Sequence, residues 1–206
     1  MSNLYNSDLF PTPVWDVYEP KYVKPLTKAT NSYIAEARKR NKQHKDFCVT
    51  HHSTALYNDP RFMDFVEIVM GTSYNFLNAQ GFDLTKYKLS LQEMWVQEFG
   101  KKGGGNHNNH VHWNQHVSGF YFLKCSDKTS MPIFHDPRPG ALMTKLPIKN
   151  TKELQKGSES VNFTVKPGTF LFFPGYLTHE FPVDRGIDPF RFIHFNVQAI
   201  HAEVAK

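Results

Sequence analysis

Cysteine is scarce in this chain of 206 residues: there are two, Cys48 and Cys125. At most one disulfide could form, which excludes a disulfide-stapled scaffold and fits a reducing compartment, so a cytoplasmic location is expected. Neither cysteine sits in a Cys-x-x-Cys pair, which argues against a zinc ribbon or finger. No run of about 18 apolar residues occurs, so no membrane-spanning helix and no membrane partner are expected. The first eight residues carry neither a charged segment nor an apolar one, and no secretory signal is read there. Internal repeats and low-complexity tracts are absent as well. The charge surplus is small, 24 Lys and Arg against 19 Asp and Glu. Part of it clusters at Lys39, Arg40, Lys42 and Lys45, which reads as a solvated helix end. No readout motif accompanies it, so no nucleic-acid partner is expected. The run Gly103 to Gly105 is not followed by Lys-Ser or Lys-Thr, which excludes a phosphate-binding loop. A flexible substrate-side loop or a linker is the expectation for it.

Aromatic residues, by contrast, are plentiful at 15% of the chain, with 18 Phe, 9 Tyr and 3 Trp. Such side chains favour strands and large rigid cores. A chain of this length can bury a core without staples, and one domain over 1–206 is expected. The pattern changes once, near residue 85. Before it the signals are helical. Val23, Leu26, Tyr33, Ile34 and Ala37 recur at spacings of three to four over residues 21–42. Asp59-Pro60 is a helix start, with Phe62, Phe65, Val66, Val69 and Met70 forming an apolar stripe behind it. After residue 85 the period falls to two. Leu89, Leu91, Glu93, Trp95, Gln97 and Phe99 are expected on one face of a strand. Further strands are expected at 118–125, 131–134, around Val161 to Val165, at 170–173 and at 191–199. Gly and Pro punctuate them, as in a sandwich or barrel. The expected architecture is an all-β core over 85–206 with a mainly helical layer, 1–84, packed on one sheet.

Histidine is where chemistry concentrates. The chain has 11, and four of them, His107, His110, His112 and His116, fall within ten residues. His110-Val111-His112 is an i, i+2 pair, which a strand presents on one face. Two imidazoles so placed can bind one metal ion. His107 is expected in a loop, and His116 could point either way. Far downstream, Pro167-Gly168 turns into the buried run Thr169-Phe-Leu-Phe-Phe173, a tight turn follows, and His179 stands where the next strand begins. Twelve residues on, Arg191 opens the strand Arg191-Phe-Ile-His-Phe-Asn196. A buried arginine needs an anion, and its planar fork suits a carboxylate. Were that carboxylate an internal Asp or Glu, Arg191 would be structural.

In this order and spacing, His110-Val-His112, Ser118-Gly-Phe-Tyr-Phe-Leu123, Phe134-His-Asp-Pro-Arg138, Pro167-Gly-Thr-Phe-Leu-Phe-Phe-Pro174, His179 and Arg191-Phe-Ile-His-Phe-Asn196, with Leu9-Phe-Pro-Thr-Pro-Val14 ahead of them, resemble the 2-oxoglutarate/Fe(II)-dependent oxygenases. The nearest likeness is to an uncharacterised subgroup of bacterial and phage type. The resemblance implies a double-stranded β-helix (a cupin-like jelly roll), with Fe(II) as cofactor and 2-oxoglutarate as small-molecule cosubstrate. It implies a dioxygenase, as a hydroxylase, coupling oxidative decarboxylation of 2-oxoglutarate to oxidation of a substrate that the sequence does not identify. The family usually ligates iron with two histidines and a carboxylate two residues after the first. Here that position is His112. The implied ligands are His110, His112 and His179, with Asp136 as the alternative third. Arg191 would receive the distal carboxylate of the cosubstrate. Tyr121, with Phe172 and Tyr176, would line a dry pocket. Asn114 and Ser118 would hydrogen-bond near the metal, though turn chemistry accounts for both equally. Two rival readings stay open at this point: a cupin-like metal-dependent dioxygenase or isomerase that does not use 2-oxoglutarate, and a non-catalytic jelly-roll binding protein.

Overall fold

The computed structural model describes Tyr5, residues 7–144 and residues 146–204. Residues 1–4 and 6, part of the stretch read for a signal sequence, lie outside the described residues. In chain order the elements are β1 (Trp15–Tyr18), α1 (Val23–Arg40), β2 (Thr50–His52), α2 (Met63–Ala79), β3 (Tyr87–Phe99), β4 (His107–His110), β5 (Val117–Lys124), β6 (Ile133–His135), a short α3 (Pro139–Met143), β7 (Ser160–Asn162), β8 (Thr169–Pro174), β9 (His179–Phe181) and β10 (Arg191–His201). The Asp59-Pro60 start works as expected. The Asp59 carboxylate accepts from the Arg61 backbone N–H, and one turn of 3-10 helix leads into α2. No described helix is long and apolar enough to cross a membrane.

Two antiparallel sheets form the jelly-roll core, one ordered β1-β8-β5-β10-β3-β2 and the other β4-β9-β6-β7. The larger sheet has two apolar faces. On one, Leu26, Ile34, Phe65, Val69 and Phe76 of the helices meet Met94, Val96, Tyr121, Phe170, Ile193 and Phe195 of the strands. On the other, Phe120, Phe122, Leu171, Phe173 and Phe192 face Phe134 and Phe181 of the smaller sheet. Each fully buried Phe in these layers contributes about 1.5–3 kcal/mol of transfer free energy. Gly119 of β5 makes room for that packing: a Cβ there would lie 2.2 Å from Cζ of Phe195 and 2.4 Å from the Leu171 carbonyl oxygen.

Beside the helices, the first 84 residues also supply two short strands: β1 pairs with β8 and β2 with β3, extending the larger sheet at both ends. One expectation needs correction. The six alternating residues of β3 do not share one face. Glu93 pairs with Asn196 but Leu91 with Val197, so Gln92 is an extra residue in β3. This bulge resets the alternation. Leu89 and Leu91 turn toward the helices, while Phe99 packs between the sheets.

Candidate metal centre

His110 is the last residue of β4. The β4–β9 register shifts by one residue between His107, opposite Phe181, and His110, opposite His179. His112 lies just past the strand, tied by its backbone N–H to the Gly175 carbonyl at 2.9 Å. The i, i+2 pair therefore straddles a strand end, yet its rings still converge. Ring centroids are 4.4 Å apart for His110 and His179, 5.0 Å for His110 and His112, and 5.1 Å for His112 and His179. Each of the three offers a nitrogen, and these nitrogens all lie within 4.8 Å of one another.

The surroundings decide which nitrogen is free. His179 Nδ1 sits 2.8 Å from the Leu177 carbonyl and His110 Nδ1 sits 2.6 Å from that of Asn108. A carbonyl only accepts, so each Nδ1 carries the proton and each Nε2 keeps its lone pair. Nε2 of His179 and Nε2 of His112 are buried with no hydrogen-bond partner. Burial, with the neighbouring imidazoles and against the hydrogen bond to the Leu177 carbonyl, holds His179 down to about 3, and burial with His110 and His107 does the same for His112. Neutral imidazoles with buried, unpartnered Nε2 atoms, two of the three rings held at Nδ1 by a backbone carbonyl, are the donor chemistry of a divalent transition-metal site. His112 is held differently. The Ser118 hydroxyl donates to Asn196 Oδ1 at 2.6 Å, and Asn196 Nδ2 donates to Glu93 Oε2 at 2.5 Å and lies 3.1 Å from His112 Nδ1. For Nε2 of His112 to meet a metal, Nδ1 must carry the proton, so Asn196 Nδ2 gives up that contact while keeping Glu93, whose carboxylate is the nearby acceptor. The residues present thus fit a metal, with the Asn196–Glu93 pair as the part that adjusts.

A second set overlaps the first: Glu93, His112 and His194 also bring one ligand atom each within 4.8 Å of the others. His194 of β10 is 2% exposed, stacks on His112 at 4.5 Å and lies 4.5 Å from the Trp95 ring. His107, expected in a loop, is the first residue of β4. Its ring lies 4.6 Å from that of His110, and burial lowers it to about 4.

Several expected site residues lie elsewhere. Arg191 is on the helical face of the larger sheet, not the inner one. Its Nε donates to Glu98 at 2.5 Å, and its Nη1 donates to Asn31 Oδ1 at 2.8 Å and to the Thr30 hydroxyl at 3.2 Å. The partner is an internal carboxylate, so Arg191 is structural and is not the receptor for a cosubstrate. Burial pushes the Glu98 carboxyl up, but the charge of Arg191 and a hydrogen bond from Arg38 outweigh it and hold it low. Tyr121 faces the helices too. It packs on Phe65 and Phe170, and its hydroxyl donates to the Glu19 carbonyl at 2.7 Å. Phe172 belongs to the same layer, whereas Tyr176 is 57% exposed. Asn114 is an exposed turn residue with φ of 61°, a conformation that asparagine tolerates. Asp136 is in neither metal-binding set, and its carboxylate is clasped by Nε and Nη2 of Arg138 at 2.9 and 2.7 Å. The glycine run is a packed turn rather than a loose loop. Gly103 and Gly104 have positive φ, and a Cβ on Gly104 would lie 2.5 Å from Cys48 Sγ.

Glu93, Trp95, His194 and Asn196 were read from the sequence as strand residues and not as residues of the site. The signal was there in period two: Glu93 and Trp95, like His194 and Asn196, stand two apart on adjacent strands.

Comparison with known proteins bears on this arrangement. No curated protein matches the chain. Solved structures do. The α-ketoglutarate-dependent carbocyclase SnoK of nogalamycin biosynthesis aligns over 92% of this chain and 82% of its own, at 10% identity and a TM-score of 0.58. A Pseudomonas putida prolyl-4-hydroxylase aligns over 92% and 95%, at 11% identity and a TM-score of 0.55. A collagen prolyl hydroxylase from Paramecium bursaria Chlorella virus-1 aligns over 97% and 98%, at 12% identity and a TM-score of 0.53. At such identity the likeness is one of fold, the double-stranded β-helix. A family model described as "Putative 2OG-Fe(II) oxygenase" matches residues 93–196, which run from Glu93 to Asn196 and enclose every histidine of the centre. The chain belongs to the 2OG-Fe(II) oxygenase family, whose members use Fe(II) and 2-oxoglutarate.

Proposed function

We propose that the chain is a hydroxylase in which His110, His112 and His179 hold the iron. The supporting observation is the pair of buried, partnerless Nε2 atoms on His112 and His179, facing a third imidazole whose tautomer is fixed by the Asn108 carbonyl. Bound Fe(II) would supply the redox chemistry on dioxygen. The overall reaction converts 2-oxoglutarate, dioxygen and a C–H bond into succinate, carbon dioxide and an alcohol, with one oxygen atom going to each of succinate and product. Three neutral imidazoles leave the full 2+ charge of the metal in place, which favours a dianionic cosubstrate. The protein's part is positioning and exclusion of water. Backbone carbonyls aim His110 and His179, and Phe120, Phe134 and Phe173 pack against His179 with ring centroids 4.8–6.0 Å away, keeping that side dry. Glu93, more exposed, lies at the outer side of His112 beside Asn196. We also read the described chain as one domain, since β1 and β2 join the core sheet.

The test is anaerobic titration of the metal-free protein with Fe(II) and then 2-oxoglutarate, followed by admission of air. One equivalent of Fe(II), a visible charge-transfer band on adding 2-oxoglutarate, and succinate formed even without substrate are expected. A tight one-to-one metal complex with neither band nor succinate would favour a metal-dependent enzyme that dispenses with 2-oxoglutarate.

A further inference from the structure

Two buried polar side chains, Gln97 and His194, stand beside the three proposed ligands and carry nitrogens with no partner. Gln97 is 0% exposed, and its Oε1 accepts from the Trp95 indole N–H at 3.4 Å. That contact fixes the amide, so Nε2 is the free end, and it has no hydrogen-bond partner. Both ring nitrogens of His194 are likewise buried and unpartnered. The two residues are neighbours. In the β3–β10 ladder Gln97 pairs with Phe192 and Trp95 with His194, so Gln97 and His194 stand diagonally across one rung on the inner face. An amide NH2 donates, and a neutral imidazole always has one N–H to give. Buried donors without acceptors are rare in folded proteins because each forfeits its hydration. Here two of them share the inner face as diagonal neighbours, His194 stacked on the proposed metal ligand His112.

Resting on the function proposed above, we propose that Gln97 and His194 hold the distal carboxylate of the 2-oxo diacid. A carboxylate accepts through two oxygens and has no donor of its own, which is what two neighbouring N–H donors without acceptors require. No guanidinium is needed for charge balance. A 2+ metal on three neutral imidazoles and a 2− cosubstrate sum to zero. Arg191, the cation that sequence spacing favours, has its guanidinium on the opposite face, spent on Glu98, Asn31 and Thr30.

The test uses the full chain loaded with Mn(II) without oxygen, titrated calorimetrically with 2-oxoglutarate and with 2-oxopentanoate, which keeps the chelating end but lacks the distal carboxylate. Wild type should prefer 2-oxoglutarate by about 10-fold or more, the range for hydrogen bonds to a charged group. Gln97→Leu and His194→Phe should each erase most of that preference, leaving 2-oxopentanoate affinity and Mn(II) stoichiometry as in wild type. His194→Gln, which restores an N–H donor, should recover part of it. Arg191→Lys should keep the preference within about twofold even if the protein melts lower. The cradle is overturned if both Gln97→Leu and His194→Phe keep the full preference, or if Arg191→Lys loses it while still taking up Mn(II). Should His194→Phe fail to fold, Gln97→Leu and the two-acid comparison on wild type still decide. Wild type that takes up Mn(II) but does not distinguish the acids overturns the cradle alone. Wild type that takes up no Mn(II) overturns the metal reading, and the cradle with it.

Discussion

The two faces of the larger sheet are built from the same strands and treat polar groups in opposite ways. On the helical face, Arg191 meets Glu98, Asn31 and Thr30, and Glu98 also accepts from Arg38 at 2.7 Å. The charged groups there are paired within the chain, and the buried atoms left without a partner are two hydroxyls, those of Thr27 and Ser73. On the inner face, His112, His179, His194 and Gln97 all carry buried nitrogens with no partner. Burying polar groups is costly unless hydrogen bonds offset the loss of water. The first face therefore pairs its charges internally, and the second concentrates unpartnered nitrogens in one place. The lesson is that burial of a charged or polar residue does not mark a site, whereas a cluster of buried ligand or donor nitrogens without partners points to one.

The largest effect that would break this contrast is expected at His179. His179→Ala should lower metal affinity by more than the roughly 10–100-fold seen on losing a supporting group around a metal, with the protein still folded. Metal analysis after dialysis, alongside circular dichroism, checks it, and full metal retention would remove His179 from the centre. Next comes Arg191→Ala, which leaves the buried Glu98 carboxylate with Arg38 as its remaining close partner. A loss of at most roughly 3–5 kcal/mol in urea unfolding is expected, with unchanged metal stoichiometry in the protein that remains folded.

Acidification sharpens the comparison from another side. His112 and His179 sit at about 3 in the folded metal-free protein, because burial first and neighbouring imidazoles second disfavour their charged forms. Unfolded, they titrate near 6.5. Between those values the unfolded chain binds more protons, so stability is complete above about 6.5 and falls as pH drops toward 3. Thermal melts of the metal-free protein should move down steadily over that window. His112→Phe, if it folds, should flatten the slope. The smallest effect is expected at Tyr121→Phe. It removes one hydroxyl donor to the Glu19 carbonyl and should cost about 1 kcal/mol. 2-Oxoglutarate affinity should be untouched, and a tenfold loss of it would put Tyr121 back in the site.

Much of the fold was legible because periodicity reports burial directly. The helices α1 and α2, the Asp59-Pro60 start and the strands β3, β5, β8 and β10 follow from it. The short edge strands β1 and β2 did not. Three or four residues are too few for a period, and their pairing with β8 and β3 is long-range. In the site, His110, His112 and His179 drew notice by clustering and by their turn contexts, and the fold does bring their nitrogens together. Arg191 failed as a cosubstrate residue because spacing gives the strand but not which face a residue takes at its first position. Tyr121 failed for the same reason, one side of β5 being as aromatic as the other. His194 and Gln97 were hidden because nothing local distinguishes a partnered from an unpartnered polar residue.

The extra residue at Gln92 makes β3 two half-strands with independent tasks. Ahead of it, side chains answer to the helix layer. Beyond it, Glu93, Trp95 and Gln97 answer to the histidine cluster. Point substitutions on one half leave the other in frame, but removing Gln92 would turn Leu89 and Leu91 inward and expel them from their contacts with the helices. This strand accordingly has more tolerance for exchange of residues than for a change in their number.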